Sequence, residues 1–163
     1  MSYQEKRIIT NIASLSVFLG AYCTYIFVIA RSGTIVPDDF HFWAETMLIF
    51  IAVGIVAMII IQIIFHILLT IAIAVKEKKC DEEINNILKS TMVEDEMDKL
   101  IGLKSSKIGY IIAAVGFVAS LVLLVMDFSP AVMLNILFLS YCLGAMSEGL
   151  LSLYFYRKGV KNG

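Results

Sequence analysis

The sequence predicts an all-α, polytopic membrane protein: four transmembrane helices paired as two hairpins, with residues 1–163 forming one membrane domain. Three observations carry this. The chain is 60% hydrophobic with a mean hydropathy of +0.87, too apolar for an ordinary soluble domain. Four apolar runs each reach the ~18–20 residues that cross a ~30 Å hydrocarbon core as a helix. Of the 13 Lys and Arg residues, all but Arg31 fall on one side of those runs, leaving 12 there.

The first run covers 8–30 and follows Lys6 and Arg7. It exceeds a signal h-region and no A-x-A site follows, so it reads as a retained helix. The second covers 44–75, too long for a straight span, and should tilt or project. Between them Phe40, Phe42 and Trp43 read as an interfacial aromatic anchor. The third run covers 108–126 and the fourth 131–156. The turn between them, Asp127-Phe128-Ser129-Pro130, is tight enough to make those two helices antiparallel neighbours. Backbone groups in lipid must bond within their own segment, so spanning helices are the only economical reading. The positive-inside rule then puts both termini and the segment 76–107 in the cytoplasm of a cell whose cytoplasmic (inner) membrane holds the protein.

The segment 76–107 carries seven bases and eight acids, a net of −1, which argues against a polybasic lipid or nucleic-acid patch. Its pattern predicts two short helices. Asp81 caps the first, with Ile84, Ile87, Leu88 and Thr91 along one stripe. Thr91-Met92-Val93-Glu94 reads as a capping box opening a second helix that runs into the third span. Ile87, Leu88, Met97 and Ile101 are expected to be exposed there and to engage a cytoplasmic protein.

The two halves resemble each other. Ile8, Ile12, Ala13, Ser14, Leu15 and Ser16 match Ile108, Ile112, Ala113, Ala114, Val115 and Gly116 at an offset of 100. The small residues Ala13, Ser16 and Gly20 likewise match Ala113, Gly116 and Ser120, each trio on one helix face. Helices two and four align at an offset of 82, which sets His66 opposite Glu148. Both hairpins start on the same side, so an internal duplication would be parallel.

The run Asp95-Glu96-Met97-Asp98-Lys99-Leu100-Ile101-Gly102-Leu103-Lys104-Ser105-Ser106-Lys107 resembles the D-E-R-D/E-x-x-I-x-x-K-A-S-R-like stretch of a family of small bacterial and archaeal multi-pass membrane proteins. The ending Tyr154-Phe155-Tyr156-Arg157-Lys158-Gly159 is similar to that family's aromatic-rich close. The resemblance covers about Glu94 to Gly159; Met97 stands where an arginine is usual and Gly102 where an acid is. It implies a multi-pass fold and, from neighbouring small helix-turn-helix regulators, a regulatory or immunity role.

Glu148 and His66 are the candidate chemistry. Each lies nine or ten residues inside the basic boundary, which at 1.5 Å per residue is ~13–15 Å, close to mid-membrane. Gln62, His66 and Thr70 form a polar stripe on helix two; Gly144, Glu148 and Ser152, with Tyr141 beyond, form one on helix four. If the stripes meet, His66 and Glu148 form an ion pair, or Glu148 holds a proton and donates to a carbonyl or to the imidazole. Three readings stay open: interhelical glue worth ~0.5–2 kcal/mol per bond, a proton- or ligand-handling site, or a contact between copies. Asn11 and Asn135 read as helix-packing groups. Cys23, Cys80 and Cys142 have no metal or redox spacing, and Asp38, Asp39, His41 and Glu45 read as a solvated loop before a metal site. No nucleophile motif, phosphate loop or dinucleotide fingerprint occurs, so neither enzyme activity nor a cofactor is expected. The expected partners are the lipid bilayer, a cytoplasmic protein and a second copy of the chain. Function is expected to be regulatory, immunity-related or interaction-based; the alternative is a small proton-coupled transporter using Glu148 and His66.

Overall fold

A computed structural model describes residues 3–32, 39–77 and 95–159. Its helices are α1 (Tyr3–Ser32), α2 (Phe40–Glu77), α3 (Glu96–Val125) and α4 (Pro130–Lys158). All four are long and apolar enough to cross a bilayer. Among the described residues no strand occurs. Ile87, Leu88, the Asp81 cap and the Thr91–Glu94 box lie outside the described residues.

The ends of the helices follow local polar chemistry. α2 starts four residues ahead of the expected Ala44 because Asp39 caps it: its carboxylate accepts from Phe42 N–H at 3.1 Å and its carbonyl from Trp43 N–H at 3.3 Å. Of the aromatic residues there, Trp43 is buried, at 8% exposure, and Phe40 is exposed. α3 opens with a reciprocal box of two aspartates. Asp95 accepts from Asp98 N–H at 2.7 Å and Asp98 from Asp95 N–H at 3.1 Å. From there one helix runs through 96–107 into the apolar stretch, the continuity expected of that segment. Its other end closes with Phe128 N–H on Leu123 O and Asp127 N–H on Leu124 O, with Asp127 at φ 61°. That is a Schellman turn with aspartate in the left-handed position. Ser129 and Pro130 then start α4.

Packing is unequal. α3 and α4 form by far the closest pair. Ser105, Gly109, Ala113, Gly116 and Ser120, spaced three and four apart, make the buried face of α3 together with Ile101. A Cβ on Gly144 would lie 2.7 Å from the Gly109 carbonyl oxygen, and one on Gly116 would overlap the Ser140 side chain. At Gly109–Gly144 backbone lies against backbone, and at Gly116 the Ser140 side chain fills the place a Cβ would take, which only residues this small allow.

α1 lies antiparallel on α4. Tyr22, fully buried, donates to Asn135 Oδ1 at 2.9 Å, and its ring lies tilted 4.5 Å from the Phe138 ring. Further along, Ile12 sits over Gly149. α2 rests more loosely on α1 and α4, through Phe50 at 5.0 Å from the Tyr22 ring and Gly54 beneath Phe18. Burial among its described side chains is confined to Trp43, Thr46 and Met47. The two small-residue trios are thus used differently. Ala113, Gly116 and Ser120 are buried against α4, whereas Ala13, Ser16 and Gly20 are exposed and a Cβ on Gly20 would meet nothing.

Candidate functional site

The polar stripes of α2 and α4 turn to different neighbours. On α2, Gln62 donates to Asn11 Oδ1 and His66 Nε2 lies 3.4 Å from the Tyr3 hydroxyl, both on α1. Thr70 turns inward on its own helix and donates to the His66 carbonyl at 2.9 Å. On α4, Glu148 accepts a hydrogen bond from Ser106 of α3, Gly144 packs on Gly109, and Ser152 is buried. His66 and Glu148 therefore have separate partners and no bond to each other. Backbone contact at Gly109–Gly144 brings Glu148 within reach of Ser106 on α3, while His66 turns to Tyr3 on α1.

Glu148 nonetheless faces open space. A cavity of about 290 Å³ lies where α1, α2 and α4 diverge, bordered by Ile8, Asn11, Met58, Glu148 and Ser152. Toward the turn end it adjoins a second cavity of about 480 Å³, sharing Leu15, Met58 and Ala145 with it. That second space is apolar, walled by Phe18, Ile55 and Phe138, and Tyr141, 61% exposed, stands at its edge. Beyond lies the aromatic cluster of Phe18, Tyr22, Phe50 and Phe138, with ring centroids 4.5–6.3 Å apart. Toward the basic end a third cavity of about 480 Å³ shares Ile8 and Ser152 with the first and is bordered by Asp98, Lys99 and Tyr156. Tyr156 donates to Asp98 Oδ1 there, tying α4 to the first turn of α3.

The result is a graded groove: charged at the basic end, a single carboxylate midway, apolar beyond. Among the described residues, Glu148 is the one charged side chain bordering the middle and apolar cavities. Its Oε1 is oriented by Ser106, and its Oε2 lies 3.4 Å from where a Gly109 Cβ would be. Such a site can hold a cation or exchange a proton.

Of the four residues expected to face a protein partner, Ile101 is only 2% exposed, because it continues the small-residue face of α3 against α4. That expectation is corrected. Met97 is 50% exposed on the outer side of the same turns. Sequence reasoning missed Ser106 and Tyr3, which read there as parts of hydrophilic ends. Asn11 and Asn135 both accept bonds from a neighbouring helix, the packing role their isolation in apolar runs suggests.

No protein-family model, curated protein or solved structure matches the chain.

Proposed function

We propose a non-enzymatic, multi-pass membrane protein of regulatory or interaction type, in which the groove beside Glu148 binds a membrane-borne ligand and the segment before α3 engages a cytoplasmic protein. In this reading the basic end, both termini and 78–94 face the cytoplasm, and the hairpins descend from one parallel duplication whose halves have diverged in packing. The observation that carries the reading is the groove itself. A carboxylate costs a few kcal/mol at membrane depth by the lower estimates, and here it borders a cavity adjoining a larger apolar one. A residue serving as glue alone needs no such space.

The alternative, a small proton-coupled transporter, is favoured by one feature: the chain of cavities reaching from Glu148 to Asp98 and Lys99 at the basic end. It would work through Glu148 without a direct relay to His66. Reconstitution separates the two. A regulatory protein in liposomes carries no proton-linked flux, and Glu148→Gln changes its ligand response without changing its fold. A transporter shows flux that Glu148→Gln abolishes. For the partner arm, Ile87→Asp with Met97→Asp should abolish capture of the cytoplasmic partner; an unchanged set of captured proteins would remove that arm of the proposal.

A further inference from the structure

We infer that the groove takes an amphipathic amine: a single ammonium head set against Glu148, with an aryl or alkyl body in the adjoining apolar cavity. This rests on the reading of the groove as a ligand site and adds the ligand's chemistry to it. The charge argument is direct. Among the described residues, no basic side chain borders the middle cavity beside Glu148, and its one hydrogen bond comes from the neutral Ser106 hydroxyl. A neutral donor orients a carboxylate without a counter-charge, so a ligand cation would meet a carboxylate that no described side chain bordering the middle or apolar cavity pairs. In low-dielectric surroundings that pairing is far stronger than in water.

The shape argument sets the body. The apolar cavity of about 480 Å³ falls within the ~300–1,000 Å³ of small-molecule sites. Its walls are aliphatic and aromatic side chains from α1, α2 and α4, and the far end abuts the Tyr22–Phe50–Phe138 cluster. A purely polar cation would leave this space unfilled; a purely apolar molecule would leave the carboxylate unpaired. Asn11 and Ser152 border the head region and suit the hydrogen bonds of an ammonium.

The test uses three probes with one body and different heads: 4-phenylbutylamine, 4-phenylbutan-1-ol and 4-phenylbutyrate. Saturable binding to the full chain in phosphatidylcholine nanodiscs is followed by saturation-transfer NMR. The amine is expected to bind at least tenfold more tightly than the alcohol, and the acid not at all. Glu148→Gln should remove that preference, and Glu148→Asp should restore part of it. Ala145→Phe fills the junction of the two cavities without touching the Ser106–Glu148 bond, and should weaken the amine at least tenfold. Equal binding of amine and alcohol, or an amine preference that survives Glu148→Gln, would overturn the amine assignment while leaving a groove ligand in place. Absence of saturable binding by all three, with the chain folded, would overturn both the assignment and the groove reading.

Discussion

The α3–α4 hairpin and the α1–α2 hairpin are built from similar apolar material and packed by different rules. In α3–α4, glycine and serine at three- and four-residue spacing bring two backbones into contact, and polar side chains bridge the helices twice, at Ser106–Glu148 and Asp98–Tyr156. In α1–α2 the small trio of α1 faces outward, and the helices touch through large rings and two polar bridges. Bulky contacts hold helix axes apart, whereas small ones let them close, and TM association rests on such packing because lipid provides no hydrophobic drive between helices. The groove beside Glu148 is the consequence of this mismatch: α4 is held to α3 and only partly covered by α1 and α2.

The largest expected effect breaks the tight half. Gly116→Ala sets a methyl group against Ser140 Cβ, and Gly144→Ala sets one against the Gly109 carbonyl, so either should cost ~2–3 kcal/mol, near the upper range for overpacking. Reversible unfolding in mixed micelles measures this. Next comes Tyr22→Phe, which removes the α1–α4 bond and leaves Asn135 Oδ1 without its interhelical donor; ~1 kcal/mol is expected, checked by the same unfolding and by a cycle with Asn135→Leu. Gln62→Leu should cost less, ~0.6 kcal/mol, as transmembrane polar pairs do on average. The smallest cost, none at all, is expected for Gly20→Ala. Its methyl meets nothing, and better helix propensity gives a change from zero to ~1 kcal/mol of stabilisation. A Gly20→Ala cost matching that of Gly116→Ala would erase the distinction between the halves.

Much of the fold was legible. Long apolar runs bounded by charge define helices because lipid-length segments have few alternatives, and the Asp127–Pro130 turn announced its hairpin. Helix starts moved where a capping side chain outside the apolar run took control, as Asp39 did for α2. The candidate site was legible in one coordinate only. Counting residues gives depth, which is why Glu148 and His66 stood out at similar levels. Rotation about the helix axis depends on which neighbour comes closest, and that was decided by Gly109 and Gly144, whose spacing in sequence says nothing of each other. Ile101 was misread for the same reason: an apolar residue among charges can face out or in, and α4 supplied the surface that buries it.

The most direct test is a pair of distance distributions. Nitroxide labels at the exposed positions Tyr110 and Leu150 report on α3–α4, and at Ile60 and Leu143 on α2–α4, in a background with the three cysteines replaced. Sparse contacts lower local stability, so pulsed electron–electron resonance should give a narrow distribution for the first pair and a distinctly broader one for the second. Equal widths, or a broader α3–α4 distribution, would contradict the account of a fixed hairpin flanked by a loosely covered groove.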